Sequence, residues 1–218
     1  MRPSIQISAC SLIAALVLLS AKSQAGSAPI KVIKKTIPIP QTLTLDRALE
    51  SIEDIPALFD RYQPVVPWVP GVSMEIQKEV ISRGRPAQVA LKLDGTAPFV
   101  SNGIHEKALV SATVEDSPCS GNTLFSLGRK IRLDFHGSSK NVERRVDRIE
   151  IQVCATPGNN GASNLKATGS LYEGYLPIDP SKSGTAEKIA ATAIQTAFLK
   201  QVEPMVDAVQ DLWKELPR

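Results

Sequence analysis

The spacing of apolar residues changes twice along this chain, and this change constrains the fold more than any other feature. Between positions 72 and 176 apolar residues recur at every second position, which is typical of strands with one buried face. Before and after that region they recur every three to four residues, which predicts amphipathic helices. Strands bracketed by helices predict an α+β domain over residues 44–218: an antiparallel sheet of about six strands, with an N-terminal helix and a long C-terminal helix packed on it.

Two neighbouring strands are the most regular part of the predicted sheet. They alternate around positions 130–136 and 148–153, and a long polar loop, 137–147, joins them. One antiparallel register places opposite charges side by side, which favours it by about 0.2–1 kcal/mol per exposed pair. The predicted pairs are Arg132 with Glu150 and Asp134 with Arg148. The other predicted strands cover residues 72–80, 89–93, 107–114 and 167–176.

The segment before the sheet divides into an arm, a helix and a connector. Residues 26–43 are predicted to be extended, as an edge strand or a polyproline-like arm, with a mobile tail as the alternative. Residues 44–62 carry a helical stripe, and Pro56 is expected to kink or split that helix. The Pro-rich residues 63–71 are interpreted as a stiff connector with Trp68 tucked into the domain. The alternative is a polyproline ligand for an aromatic groove.

The end of the chain is predicted to form a long helix over residues 185–216, which Pro204 is expected to kink. From Phe198 onwards its apolar residues follow heptad spacing and form a candidate partner or ligand face. The main interpretation lays this helix across one face of the sheet. The alternatives are a homodimer seam and a helix that fills a groove of a partner protein. The face consists of Phe198, Val202, Met205, Val209, Leu212 and Leu216.

The first 25 residues have the pattern of a secretory signal peptide. Arg2 precedes an apolar run over residues 10–21, and small residues precede a cleavage site after Ala25. This pattern predicts a periplasmic or secreted protein. Cleavage removes Arg2 and Lys22 and no acid, so the formal charge of +3 falls by two. A nearly neutral mature chain argues against a strongly basic nucleic-acid-binding domain.

Two cysteines remain after that cleavage, Cys119 and Cys154, and we expect them to form a disulfide in an oxidising compartment. Cys154 shares its strand face with the polar residues Arg148 and Gln152. The bridge is therefore expected to tie the polar face or a strand end of the sheet, not its core. The chain has no Cys-x-x-Cys pair, which argues against a thiol oxidoreductase or a zinc knuckle.

The hairpin of residues 129–148 is the clearest charged feature of the sequence. The main interpretation is a solvated hairpin with scattered ion pairs. The hairpin would also suit lipid headgroups, an acidic polysaccharide or an acidic partner, or the acidic helix 44–62 of the same chain. The candidate anion-binding residues are Arg129, Lys130, Arg132, Arg144, Arg145 and Arg148.

A search for catalytic and cofactor motifs finds none. There is no nucleophile elbow, no phosphate-binding loop and no dinucleotide fingerprint. With two histidines, His105 and His136, a three-histidine zinc site is excluded. The segment from Asp179 resembles the opening of a calcium loop, but Ala190 stands where the bidentate glutamate is required, so a turn is predicted there. We therefore expect no metal, no cofactor and no catalytic residue.

These observations favour an exported, non-catalytic envelope protein. It would bind a partner protein or an amphiphilic ligand between the sheet and the C-terminal helix. The first alternative is an exported hydrolase without a short motif, which needs His105 or His136 beside an acid and a hydroxyl within a pocket. The second alternative is binding of a polyanion or lipid headgroup by the hairpin 129–148.

Overall fold

In the described part of the chain, seven antiparallel strands form one sheet, and helices pack on one of its faces. The computed structural model describes residues 28–66, 68, 71–96, 102–119, 128–157, 163–176, 179 and 181–216. The strands are β1 (Lys31–Pro38), β2 (Ser73–Ser82), β3 (Ala87–Thr96), β4 (Ile104–Asp116), β5 (Gly128–Phe135), β6 (Arg148–Pro157) and β7 (Ser163–Tyr172). The helices are α1 (Leu45–Glu53), α2 (Ile55–Arg61), α3 (Lys140–Arg145), α4 (Thr185–Lys200) and α5 (Val202–Glu215).

The α+β prediction is confirmed, and the described sheet contains one strand beyond the predicted six, which is β1 in the N-terminal arm. The sheet order is β1-β7-β6-β5-β4-β3-β2, so β1 forms one edge and pairs with β7. Ile37 lies opposite Leu165, and both side chains are buried. Pro38 ends the strand, where a missing N–H costs no ladder bond. Of the alternatives for the N-terminal arm, the edge strand is therefore correct from Lys31 onwards.

The register predicted for β5 and β6 is also confirmed. Arg132 lies opposite Glu150, and Asp134 lies opposite Arg148. The ion pairs themselves run along each strand, because Arg132 bonds Asp134 (Nε–Oδ1 2.8 Å) and Arg148 bonds Glu150 (Nε–Oε1 2.8 Å). These side chains occupy the face of the sheet away from the helices. The alternate residues, Ile131 among them, point into the core.

The N-terminal helical segment is split in two, as Pro56 predicts. The break falls at Asp54, whose carboxylate accepts a hydrogen bond from a backbone N–H in the first turn of α2 (3.1 Å). Pro56 then lies in that first turn, where its missing N–H is tolerated. Both helices pack against α5. The Trp213 indole N–H donates to Ser51 Oγ (2.7 Å) and fixes α1 on α5.

The prediction that Trp68 is tucked into the domain is wrong, because its side chain is 84% exposed. Backbone hydrogen bonds attach this connector to the domain instead. The Val65 N–H donates to Gln201 Oε1 (3.1 Å), and the Val65 carbonyl accepts from Gln201 Nε2 (2.8 Å). These two bonds fix the connector at Val65 without a contribution from the indole.

The long C-terminal helix is interrupted at Gln201, three residues before the predicted kink at Pro204. The Gln201 N–H bonds the Phe198 carbonyl (3.2 Å) instead of the Ala197 carbonyl, which accepts from the side-chain Nε2 of Gln201 (2.7 Å). Pro204 has no N–H for the carbonyl of Lys200, so the first helix ends at that residue. The second helix begins with Pro204 in its first turn, where proline is tolerated.

The loop predicted over residues 137–147 contains a helix that the sequence analysis missed. This helix, α3, is too short to show a helical period. Its stability comes from bonds to β4: the Ser139 N–H donates to the Lys107 carbonyl (2.8 Å), and Ser138 Oγ accepts from the Leu109 N–H (2.9 Å). Tertiary contacts therefore override the loop signal of this segment.

Cys119 and Cys154 form a disulfide, with their Cα atoms 5.8 Å apart. Cys154 is half-buried on the polar side of β6, in agreement with its predicted face. The predicted signal peptide, residues 1–25, lies outside the described residues. In the described ranges, no helix has both the length and the apolar character required to cross a bilayer.

Candidate functional site

The predicted partner or ligand face of the C-terminal helix is covered by the sheet of the same chain. Phe198, Val202, Met205, Val209 and Leu212 are buried, and Leu216 is partly buried against the core. Among the described residues, two apolar cavities of about 20 Å³ each lie between sheet and helices, and this volume is close to the space that one water molecule needs. The inner side chains of the sheet therefore fill most of the space along residues 198–216 in this structure, and the placement of a ligand there stays a prediction.

A cleft of about 290 Å³ opens at the end of the sheet where β4 begins. It lies between the start of β4, the short helix α3 and the first half of α4. Glu106 and Arg145, which are the two buried charged residues of the described chain, both line it. Burying a charge is costly unless the site uses it or pairs it, so this cleft is the strongest candidate for a functional site.

Glu106 points from β4 towards the helices, on a face that is otherwise apolar. Its carboxylate accepts hydrogen bonds from Ser139 Oγ and from Asn141 Nδ2 (2.6 Å). Both donors are neutral and belong to α3 or to the residue before it. Glu106 thereby anchors α3 on β4, and within the described chain it has no cationic partner.

Arg145 is held between α3 and α4. Its guanidinium forms an ion pair with Glu187 and donates to the Leu176 carbonyl (3.3 Å). Its own carbonyl accepts a hydrogen bond from the buried amide of Gln195 (3.2 Å). Arg145 and Glu187 therefore neutralise each other and join the two helices that form the walls of the cleft.

Arg144 is the remaining cation of the cleft. Its Nε is buried, and this atom has no hydrogen-bond partner among the described residues. No carboxylate of the described chain forms an ion pair with its guanidinium. Leaving a buried donor without a partner costs about 1–3 kcal/mol. Arg144 thus brings to the lining of the cleft a positive charge that no carboxylate of the described residues pairs.

The opposite wall of the cleft is apolar. It consists of Ile104 from β4 and of Ala190, Ala191 and Ile194 from α4. Phe198 lies one helical turn beyond Ile194, about 6 Å along the axis, and lines one of the two interior cavities. The cleft and the interior are therefore neighbours along the same face of α4.

Gly174 positions α3 at the cleft. A Cβ atom at this residue would overlap the Glu143 carbonyl oxygen and would lie 2.6 Å from the Arg144 carbonyl carbon. Only a residue without a side chain allows the backbone of α3 to approach the segment after β7 this closely.

Replacing Gly174 by alanine is expected to displace α3 and to destabilise the protein by roughly 1–3 kcal/mol, since the clash is with backbone atoms. We expect amide chemical shifts to change along residues 140–145. Gly84→Ala is the matched control, because a Cβ there meets only Ser82 Oγ at an ordinary 3.4 Å. Equal unfolding free energies and unchanged shifts for the two variants would contradict this role of Gly174.

The six predicted anion-binding residues do not share one surface, and the described chain pairs five of them with carboxylates. Arg144 is the exception and, with Arg145, lines the cleft. The interpretation that the hairpin faces the acidic helix of the same chain holds for Arg129. The partners are Glu53 and Asp116 for Arg129, Glu115 for Lys130, Asp134 for Arg132, Glu187 for Arg145, and Asp147 and Glu150 for Arg148.

The outer face of the sheet carries the tightest of these charge clusters. The Arg148 guanidinium stacks 3.8 Å above the ring of Tyr172, whose hydroxyl donates to Glu150 (3.2 Å). Partial burial opposes the ionisation of Glu150, but the hydrogen bond and charge of Arg148 outweigh it and lower the pKa of Glu150. This cluster stays ionised and internally satisfied, and it offers no free charge to an anion.

The two histidines do not assemble a hydrolytic site in the described chain. His105 bonds Asp94 (Nδ1–Oδ1 2.8 Å), but its side chain is 70% exposed on the outer face of the sheet. His136 is exposed as well. Neither bonds a Ser or Thr hydroxyl of the described residues, and neither lines the cleft. The described ranges also hold no group of three or more potential metal ligands.

A larger groove of about 930 Å³ lies at the other end of β4, between the α1–α2 junction and the turn from β2 to β3. Of its three arginines, Arg129 bonds Glu53 (2.7 Å) and Asp116 (3.0 Å), and Arg83 forms an ion pair with Asp60. Most of its lining is exposed. Paired, solvated charges give this groove less binding potential than the smaller cleft with its buried charges.

Comparisons with known proteins find only distant similarities to this chain. No protein-family model and no curated protein matches the chain. Similar solved structures include the Zhui aromatase/cyclase from Streptomyces sp. R1128 (10% identity, 86% of this chain and 96% of that chain, TM-score 0.43). A START superfamily protein from Mycobacterium smegmatis is also similar (14% identity, 85% of this chain and 99% of that chain, TM-score 0.37). So is TTHA0849 from Thermus thermophilus (13% identity, 83% of this chain and 96% of that chain, TM-score 0.37). Such distant likenesses identify neither a ligand nor a reaction for this chain.

Arg144 and Arg145 were among the predicted site residues, whereas Glu106 was not. A signal for Glu106 was present, because it shares strand parity with Ala108 and Val110 on the predicted buried face. Extending that alternation backwards by one step places a carboxylate in the core. Asn141 and Glu187 carry no comparable signal, since their place in the cleft depends on tertiary packing.

Proposed function

We propose that this protein binds a small amphiphilic molecule in the cleft between β4, α3 and α4, without converting it chemically. The observation that carries the proposal is that both buried charged residues of the described chain, Glu106 and Arg145, lie beside an apolar wall in one concavity. An apolar surface with a few convergent polar groups is the usual composition of a small-molecule site.

The size of the cleft limits its ligand. Ligand pockets typically have volumes of roughly 300–1,000 Å³, and this cleft, at about 290 Å³, lies at the lower end. It suits a small molecule or the end of a longer one. A longer apolar chain would have to displace Ile194 and Phe198 to enter the interior, because the cavities there are too small for it.

We further propose that the protein is exported to the periplasm or secreted, and that the cleft lacks a catalytic group. Export rests on the leader-like sequence of residues 1–25, and the absence of catalysis rests on the motif search and on the exposed histidines. N-terminal sequencing of the protein from each cellular compartment tests export, with Gly26 as the expected first residue. A chain that retains Met1 in every compartment would contradict it.

The binding proposal is tested by NMR titration of the isotope-labelled protein with 1-octanol and 1-dodecanol as uncharged amphiphilic probes. We expect saturable shift changes centred on Ile104, Ala190, Ala191 and Ile194. Native mass spectrometry of protein purified gently from its own compartment adds an independent readout. A mass excess that disappears on denaturation would support a natural ligand.

Ala190→Phe is expected to fill the cleft and to abolish these shift changes while the protein stays folded. Thr192→Phe is the matched control, because Thr192 is exposed on the same helix and does not line the cleft. Equal binding by both variants, or shift changes centred on another part of the molecule, would overturn the proposal.

A further inference from the structure

We infer that the cleft recognises an oxyanion, a carboxylate or a phosphate group, through Arg144, and that its amphiphilic ligand is therefore anionic. This inference rests on the proposed function and specifies the chemical class of the ligand. It depends on how the four charged residues of the cleft are paired. Those residues are Glu106, Arg144, Arg145 and Glu187.

Two of the four charges cancel. Arg145 and Glu187 form an ion pair, and the Leu176 carbonyl and the amide of Gln195 hold Arg145 in place. A ligand that competed for Arg145 would have to break a bridge that joins α3 to α4. Arg145 is therefore committed to the structure of the cleft wall.

Arg144, in contrast, takes part in no ion pair among the described residues. Its Nε is buried without a hydrogen-bond partner among the described residues, and no described carboxylate pairs with its guanidinium. A guanidinium presents a planar set of N–H donors that matches a carboxylate or phosphate bidentately. An oxyanion in the cleft would neutralise the charge of this guanidinium, which an uncharged hydroxyl group cannot do.

Glu106 is the strongest argument for the opposite charge preference, since an unpaired buried carboxylate attracts cations. Its two oxygens, however, accept from Ser139 and Asn141, so they are used to hold α3 on β4. Glu106 and Arg144 do not form an ion pair with each other. An oxyanion bound at Arg144 is therefore compatible with Glu106, whose negative charge weakens anion binding without preventing it.

Four probes with the same chain and different head groups test the inference: dodecanoate, dodecyl phosphate, dodecylamine and dodecanol. Dissociation constants are measured by NMR titration below the critical micelle concentrations. We expect at least one oxyanion to bind roughly 10- to 100-fold more tightly than dodecanol, as charge-assisted hydrogen bonds predict. The comparison of dodecanoate with dodecyl phosphate identifies which oxyanion the site prefers.

Two variants assign this preference to Arg144. Arg144→Gln should reduce the binding of the oxyanions to the level of dodecanol, and its NMR spectrum shows whether the variant is folded. Arg144→Lys, which keeps the charge but loses the planar donors, should retain part of the advantage. Lys140→Gln is the matched control, because it removes one exposed positive charge from the same helix outside the cleft and should change neither.

Glu106→Gln separates the two charge preferences. It removes the negative charge but keeps an acceptor for Ser139 or Asn141, so oxyanions should bind as tightly as before or more tightly. Tightest binding of dodecylamine, with a loss in Glu106→Gln, would overturn the inference. Equal binding of dodecanol and both oxyanions would also overturn it while leaving the proposed function intact. Failure of all four probes to bind would overturn the proposed function itself.

Discussion

Replacing Phe198 by alanine is expected to lower the free energy of unfolding by about 3–5 kcal/mol, the usual cost of truncating a buried phenylalanine. The Phe198 side chain is 1% exposed and packs edge-to-face on Phe135, with ring centroids 5.3 Å apart. It also lines one of the interior cavities. Its loss would combine the removal of apolar contacts, the loss of an aromatic pair and the enlargement of that cavity.

Urea denaturation at neutral pH measures this effect. Ile81→Ala is the control, because Ile81 is an apolar side chain of β2 that is 47% exposed and should cost less than about 1 kcal/mol. The enlarged cavity is apolar, so benzene should raise the melting temperature of Phe198→Ala and not that of the original protein. A loss below about 1.5 kcal/mol would mean that the neighbouring side chains collapse into the space.

Truncation of Phe198 would also open space in the interior next to the cleft. Phe198 lines an interior cavity one turn beyond Ile194, which lines the cleft. In the structure this position is filled, and the ligand space is limited to the cleft. Opening it at Phe198 should lengthen the space available to an apolar chain, at the expense of stability.

The sheet could be predicted from the sequence because its signals are local. Alternation within β5 and β6, together with the complementary charges of Arg132 and Glu150, is enough to define both strands and their register. The edge strand β1 was harder, since its prolines match a polyproline arm equally well. Its assignment depends on the pairing of Ile37 with Leu165, which are far apart in the chain.

The cleft could not be predicted because its parts are brought together only by the fold. Its lining comes from the start of β4, from α3 and from α4. The helix α3 has too few residues to show a period, and hydrogen bonds from Ser138 and Ser139 to β4 stabilise it. The ion pairs of the basic hairpin agree with the interpretation of scattered pairs, but partners from distant segments, such as Glu187 for Arg145, could not be predicted for the same reason.

Replacing Gln201 by leucine is the second change for which we expect a large loss of stability, about 2–4 kcal/mol. The side chain has a similar size, but the buried amide makes four hydrogen bonds that leucine cannot make. Its oxygen accepts from the Tyr62 hydroxyl (2.7 Å) and the Val65 N–H (3.1 Å). Its nitrogen donates to the carbonyls of Val65 (2.8 Å) and Ala197 (2.7 Å).

These bonds explain why one glutamine has so large an expected effect. Gln201 lies at the break between α4 and α5 and joins it to the connector that precedes β2. Burial raises the pKa of Tyr62, so its phenol stays neutral and remains a donor at neutral pH. In Gln201→Leu that hydroxyl would stay buried without an acceptor, and the Ala197 carbonyl would lose its side-chain donor.

A double-mutant cycle with Tyr62→Phe separates the free-energy cost of the unpaired Tyr62 hydroxyl from the cost of the other hydrogen bonds that Gln201→Leu removes. Phenylalanine removes the hydroxyl that Gln201→Leu would leave without a partner, so the double variant should be destabilised by about 1–2 kcal/mol less than the sum of the single variants. Unfolding free energies of the four proteins in urea give this coupling directly. Strict additivity would contradict this coupling and would mean that the bonds of Gln201 to Val65 and Ala197 account for the stabilisation.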